Sequence, residues 1–205
     1  MRVGIGYDVH RFHGKRPLCL GGVVVPHRQG LAGHSDADVL LHALTDALLG
    51  AIGAPDIGEH FPSTDPRYRD ADSRIFVRAA HERVRREGWR IGNIDTTLIA
   101  DAPRLSGYKA KMCRTISQLL GISETCVSVK AKTTEGFCPG VKGIAAQAVV
   151  LLQPGSSRGR RRRKSAYQKD AGRSRLRAES SGLRGSSPEP SAQNPEPRHS
   201  VRGFK

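Results

Sequence analysis

At 205 residues the chain has room for one domain, or one domain with a tail, and its formal charge of +15 first suggests a nucleic-acid partner. The charge is unevenly placed: residues 156–205 hold 14 Lys and Arg against 4 acids, whereas residues 1–155 hold 20 against 15. No apolar run approaches the ~20 residues needed to span a bilayer, and Cys19, Cys113, Cys126 and Cys138 follow no CxxC or small secreted pattern, which excludes a membrane helix and a disulfide scaffold.

The chain enters a strand at once with "RVGIGYDVHRF", leaving no room for a signal or transit peptide, so a soluble cytoplasmic protein is expected. A Gly-Lys-Arg-Pro turn leads to a second strand, "LCLGGVVVP". "HSDADVLLHALTDALLGAIG" is the clearest helix. Ser35 reads as its N-cap, Asp38 as the capping-box residue and Gly53 as its stop, with Leu40, Leu41, Leu44, Ala47, Leu48 and Ala51 as the buried stripe. Residues 54–70 form a long loop with three prolines, a length usually functional or disordered. A helix is expected over 73–87 with Ile75, Val77, Ala80 and Val84 inward. The strand "RIGNIDTTLIA", a helix ending near Leu120 and the strands "CVSVKAKT" and "GIAAQAVVLL" complete the order. This pattern predicts an α+β fold with helices packed on one face of a mixed β-sheet.

The last 50 residues are dominated by Ser, Gly, Pro and Arg, and their apolar residues keep no period of 2 or 3.6. Such a segment cannot bury enough surface to offset its ordering entropy, so residues 1–155 read as the domain and 156–205 as a disordered basic tail. The run from Arg160 to Lys164 has the charge to hold RNA or a membrane surface, although a solvated tail with incidental polyanion affinity is the plainer reading.

Three places carry chemistry. Asp8 and His10 point to one face of the first strand, and His42 lies off the leucine stripe of the first helix, beside Asp38 and Asp46. One carboxylate and two imidazoles make a three-ligand divalent site with an open position, and the competing reading is a surface histidine and a strand-end turn aspartate. His34 directly precedes the expected helix cap, where its ring and the free amides would face one anion. "KAKTTEG", residues 130–136, puts a lysine, two hydroxyls and a carboxylate at a strand end, suited to a phosphate with its own hard cation.

"GIGYDVHRF", "GHSDADVLLHALTDALLGA", "DIGEHFPSTDP", "ADSR", "NIDTTLIADAPRL", "KAKTTEG" and "GIAAQAV" follow one another in the order and spacing of a known family. Residues 1 to about 153 resemble the 2-C-methyl-D-erythritol 2,4-cyclodiphosphate synthases of the non-mevalonate isoprenoid pathway. The resemblance implies a homotrimer with active sites at subunit junctions. It implies a cytidine diphosphate ester of methylerythritol 2-phosphate as substrate, whose 2-phosphate attacks the β-phosphorus and releases CMP. Zinc would sit on Asp8, His10 and His42, and a second cation, Mg2+ or Mn2+, on Glu135. His34 and Thr133 would assist the transition state, and Asp8, Val9, His10, His34, Ser35, Phe137 and Lys142 would be among the substrate-binding residues. Asp56, Ile57 and Gly58 would take the sugar hydroxyls, with Phe61, Pro62, Ser63, Thr64 and Asp65 as a lid. Ala100, Asp101, Ala102, Pro103, Arg104, Leu105 and Ser106 would form the cytidine pocket with Lys132, Thr133, Thr134 and Glu135.

One segment departs from the family. "TTEGFCPGVKG" is two residues shorter than usual; Phe137 still matches, Gly140 falls where an Arg is expected, and Lys142 lies close by as a substitute charge. Lys is a point charge and not a planar fork, so the change bears on the subunit-junction end of the site. Two rival functions share these residues: a metal phosphohydrolase, which would release inorganic phosphate, and an inactive trimeric scaffold with an RNA-binding tail. Retention of every metal and phosphate residue argues against the scaffold.

Overall fold

A computed structural model describes residues 1–137, 140 and 142–155. The tail expected from residue 156 onward lies outside the described residues, as do Cys138, Pro139 and Val141. In chain order the elements are β1 (Arg2–His13), β2 (Leu18–Leu20), β3 (Val23–Val25), β4 (Gly30–Leu31), α1 (Val39–Ala51), α2 (Ile57–His60), α3 (Arg74–Arg86), β5 (Trp89–Ile99), α4 (Lys109–Leu120), β6 (Val127–Lys132) and β7 (Gly143–Pro154).

Five strands form one mixed sheet in the order β4-β1-β7-β5-β6. β1 and β7 run antiparallel over their lengths, from Arg2 opposite Leu152 to Arg11 opposite Gly143. β7 is also antiparallel to β5, and β5 and β6 are the parallel pair, joined through α4. β2 and β3 make a separate hairpin.

The alternation along β1 decides what the sheet covers. Gly4, Gly6, Asp8 and His10 share the covered face, while Val3, Ile5, Tyr7 and Val9 share the other and are each more than half exposed. The glycines let α1 lie directly on the strand: a Cβ on Gly6 would come within 1.9 Å of the Ala43 carbonyl oxygen, and one on Gly4 within 2.0 Å of that of Ala47. From β7, Ile144, Ala146, Ala148, Val150 and Leu152 are fully buried beneath the helices, with Ile94 and Leu98 from β5 beside them. α1 meets β1 and β7 on one side and α3 on the other. Its apolar stripe therefore widens to include Val39, Ala43 and Leu49.

The structure corrects three local expectations. The cap of α1 is Asp38, whose carboxylate accepts from the N–H groups of Leu40 and Leu41 at 3.1 and 3.0 Å, and the Ser35 hydroxyl is engaged elsewhere. His34 consequently precedes the helix by a full turn, and the amides of Asp36, Ala37 and Asp38, expected to face an anion, bond the Ala71 carbonyl, the Ser35 hydroxyl and the Asp36 carboxylate instead. Ile75, expected inward, is 39% exposed. The buried series on α3 runs Ser73, Phe76, Val77, Ala80 and Val84, a helical period in which residue 75 is out of phase. The loop over 54–70 contains α2 and a 3-10 turn at Pro66–Tyr68, capped by Asp56 and Asp65.

Candidate active site and metal centre

Because α1 lies on the glycines of β1, its His42 reaches the end of that strand where Asp8 and His10 project toward the helix. Asp8 Oδ2 is 2.9 Å from His10 Nε2 and 3.0 Å from His42 Nδ1, and the two ring nitrogens are 3.2 Å apart. Among the described residues this is the group of His, Cys, Asp and Glu side chains whose donor atoms converge closely enough for a metal ion. Bond lengths of about 2.0–2.2 Å give a tetrahedral zinc site edges of roughly 3.3–3.5 Å, so a small opening of the triangle would admit the ion. Two imidazoles and a carboxylate suit zinc as a donor set. The three side chains are partly buried, with 24%, 20% and 12% exposure for Asp8, His10 and His42.

The electrostatics tie the cluster together. Burial alone would raise the Asp8 carboxyl, but hydrogen bonds and charge from His10 and His42 hold it well below the usual carboxylate range. Burial would likewise lower His10, and its hydrogen bond with Asp8 and that carboxylate's charge raise it instead. The Val9 N–H donates to the second Asp8 oxygen at 2.8 Å, fixing the carboxylate. The Ala32 backbone adds to the rise of His10.

Beside the triad lies a cleft of about 290 Å³, lined by His34, Ser35 and His42 and by Ile57, Gly58 and the segment from Phe61 to Thr64. Its apolar wall is an aromatic cluster: Phe61 stands 4.7 Å from Phe76 and 5.4 Å from Tyr68, centre to centre. His34 closes the rim, with Nε2 3.2 Å from the Asp65 carbonyl oxygen, which ties it to the segment expected to act as a lid. Arg67 chelates the Asp65 side chain and lowers its pKa. Asp46 on α1 accepts the Ile57 N–H at 2.8 Å and so anchors α2 to α1. Burial raises Asp46 against that hydrogen bond, helped by the charges of Asp56 and Asp8.

The remaining expected site residues gather at a second place. At the ends of β5 and β6 the Ala100 N–H bonds the Lys132 carbonyl at 2.9 Å. Asp101 accepts both from the Thr134 amide at 2.8 Å and from its hydroxyl. The Thr133 hydroxyl donates to Glu135, which adopts a left-handed backbone. Within the 100–106 loop the Ala102–Pro103 peptide is cis, and Leu105 is buried in the core. Arg104 and Ser106 are exposed on the same loop, and Phe137 is exposed beyond β6. Lys142 is exposed too, its carbonyl accepting from the Phe12 N–H. No residue of this second group lines the cleft beside the triad.

The family model of the YgbB family matches residues 1–153. The chain belongs to the YgbB family. It is 56% identical to a protein of Syntrophobacter fumaroxidans named 2-C-methyl-D-erythritol 2,4-cyclodiphosphate synthase, over 75% of this chain and 98% of that one. Among solved structures it is similar to a 2C-methyl-D-erythritol-2,4-cyclodiphosphate synthase in its CDP-bound form, at 39% identity and a TM-score of 0.69, covering 74% of this chain and all of that one. It is also similar to the bifunctional IspDF of Campylobacter jejuni, at 42% identity and a TM-score of 0.71; the match covers 75% of this chain and 42% of that longer protein.

Asp36, Tyr68, Ser73 and Phe76 were not expected at this YgbB-family site, whereas Asp46, expected beside His42, is bound to the Ile57 N–H. Tyr68 and Phe76 form its apolar wall, and Asp36 and Ser73 stand behind His42. The signal for Phe76 was present in the helical period counted from Ser73. No such signal joins Asp36 to Ser73, which meet across 37 positions of sequence.

Proposed function

We propose that the chain is a 2-C-methyl-D-erythritol 2,4-cyclodiphosphate synthase, a lyase of non-mevalonate isoprenoid synthesis that converts 4-diphosphocytidyl-2-C-methyl-D-erythritol 2-phosphate to the cyclic diphosphate and CMP. The observation that carries this is the Asp8–His10–His42 triangle, whose His42 lines a mostly apolar cleft, in a chain whose similarity to proteins of that name spans 98% of their length. In the reaction an oxygen of the 2-phosphate bonds to the β-phosphorus while the bond from that phosphorus to the bridging oxygen breaks. CMP leaves with the bridging oxygen, and no water is consumed. Such a phosphoryl transfer asks for in-line positioning and charge neutralisation rather than a nucleophilic side chain.

Asp8, His10 and His42 would hold zinc, which when bound supplies Lewis acidity toward a phosphate oxygen. His34 presents its ring at the cleft rim and, with Thr133, steadies the charge that develops on the transferred group. Asp56 and the backbone of Ile57 and Gly58 take the sugar hydroxyls, under Phe61 to Asp65. Glu135 would hold the second cation, Mg2+ or Mn2+, and Ala100 to Ser106 with Lys132 to Glu135 receive the cytidine.

The triad with its cleft and the 100–106 and 132–135 loops form two separate groups in one chain, which supports an active site completed at a subunit junction. The row Val3, Ile5, Tyr7 and Val9, with Val149 opposite Ile5, offers the open sheet face for a homotrimer. Among the described residues no helix is long and apolar enough to cross a membrane, in keeping with a cytoplasmic enzyme of 1–155 plus an accessory tail whose affinity for nucleic acid is incidental.

Incubating the purified protein with the cytidylyl substrate and separating the products tests this directly. CMP should appear with the cyclic diphosphate, and His42→Ala should lose most of its zinc and activity. Inorganic phosphate in place of CMP would indicate a metal phosphohydrolase, and full zinc occupancy in His42→Ala would overturn the ligand assignment.

A further inference from the structure

The metal-facing nitrogen of His42 has a problem that the rest of the site must solve. Nδ1 points at Asp8 Oδ2 from 3.0 Å. A neutral imidazole carries one proton, and a carboxylate at that distance draws it to Nδ1, where it would occupy the lone pair a metal needs. An acceptor on the far side of the ring, at Nε2, would favour the other tautomer.

Such an acceptor is present and its direction is set. His42 Nε2 is 2.9 Å from the Ser73 hydroxyl and 3.0 Å from that of Ser35. The Ser73 oxygen is also 2.5 Å from Asp36 Oδ1 and 3.2 Å from the Ser35 oxygen. Both serines are buried, at 0% and 4% exposure. Asp36 further accepts the N–H groups of Asp38 and Ser73, at 3.2 and 3.3 Å. A carboxylate receiving these bonds is an acceptor only, so the single Ser73 proton goes to Asp36. The two lone pairs left on the Ser73 oxygen then accept from Ser35 and from His42. Ser35 has the Ala37 N–H at 3.2 Å on its own oxygen, which orients it to donate onward. With Ser35 donating to Ser73 and His42 carrying its proton on Nε2, both lone pairs of the buried Ser73 oxygen are used; the opposite arrangement, Ser35 donating to Nε2, leaves one of them without a donor.

We propose that Asp36 and Ser73 are positioning residues for the metal centre: together they hold the His42 proton on Nε2 and present an unprotonated Nδ1 to the ion. The inference rests on the metal reading of Asp8, His10 and His42. It assigns a role to "ADSR" and to the first aspartate of "SDAD", neither of which touches the cleft contents directly. Outer partners of metal-bound histidines typically change metal affinity by about 10–100-fold when removed. The lower end is expected here, because Ser35 remains near Nε2 as a weaker acceptor.

The test uses the full chain and needs no turnover. Zinc affinity is measured by competition with a chromophoric chelator for the parent and for Ser73→Ala, and the His42 imidazole of the zinc-loaded parent is observed by 15N-resolved proton NMR. The parent should bind zinc and show a slowly exchanging proton on His42 Nε2. Ser73→Ala should bind zinc about tenfold more weakly and lose that exchange protection. Retained affinity within twofold together with unchanged protection overturns the proposal, even if the variant melts earlier, since that is what a merely structural serine would do. If Ser73→Ala fails to fold, the parent spectrum decides alone: an unprotected Nε2 proton overturns the relay. A parent that takes up no zinc overturns the metal reading itself, and the relay with it.

Discussion

Replacing Gly6 with Ala probes the contact that builds the site. The new Cβ would lie 1.9 Å from the Ala43 carbonyl oxygen and 2.8 Å from the Ala47 nitrogen, both backbone atoms that no rotamer change can move aside. Ordinary contact begins at 3.4 Å, so α1 must retreat from β1 by about 1.5 Å at residue 43, next to His42. Overpacking of this kind costs about 1–3 kcal/mol, and removing a strand glycine's extra freedom in the unfolded chain returns a few tenths to ~1 kcal/mol. A net loss of about 1–2 kcal/mol corresponds to a melting temperature roughly 2–8 °C lower for a domain of this size. Metal ligands tolerate displacements of only about 0.2 Å, so zinc affinity should fall by at least about tenfold.

Gly50→Ala is the matched control at the same interface. Its Cβ would meet nothing closer than the Ile5 carbonyl oxygen at 3.8 Å, and Ala is favoured over Gly within a helix by up to ~1 kcal/mol. Calorimetry should therefore move the two variants in opposite directions from the parent, and chelator competition should show a loss of zinc affinity in Gly6→Ala alone. A Gly6→Ala protein as stable as the parent and equally able to hold zinc would refute the idea that close approach of α1 to β1 assembles the centre.

In the metal-free protein, Asp8 is depressed below its ordinary value of 3.8 and His10 raised above 6.5. The depressed carboxyl contributes stability above pH 3.8 that is lost as pH falls through its folded value, and the raised imidazole contributes below pH 6.5 and loses it as pH rises. The melting-temperature advantage of the metal-free parent over Asp8→Asn should thus be greatest between about pH 4 and 6.5 and shrink at higher pH; an advantage that keeps growing above pH 7 would contradict the pairing. For the shortened segment, Lys142→Met keeps the aliphatic stem and removes the charge, and substrate affinity or turnover should fall about tenfold if Lys142 takes the place of the missing Arg. Unchanged kinetics within twofold would show that this loop makes no such contact.

What was legible in the sequence had a local physical cause. The strand alternation placed Asp8 and His10 on one face, and the 3.6-residue period set His42 off the leucine stripe; neither depends on distant residues. The helix boundary was misplaced because Ser35 and Asp38 are both good caps in isolation. The choice between them is made by tertiary partners: His42 and Ser73 engage the Ser35 hydroxyl, while the Gly21 and Gly22 amides join those of Leu40 and Leu41 on Asp38. Burial raises the Asp38 carboxyl, and the Gly22, Leu41 and Gly21 N–H groups oppose that rise.

The same competition explains why the site divides as it does. Side chains of Asp8, His10 and His42 converge because glycine spacing on β1 and helical spacing on α1 are rigid over a few residues. The loops at 100–106 and 132–135 hold each other instead, Asp101 to Thr134 and Ala100 to Lys132, with no bond to the triad. In the proposed reaction, a substrate with a cytidine at one end and a branched sugar phosphate at the other would engage both groups at once. In the proposed trimer, the apolar row on the open face of β1 is where a second chain would dock and bring its loops to the first chain's metal triad. In this reading, the residues that leave β1 on the side opposite Asp8 and His10 are as necessary to the chemistry as the ligands themselves.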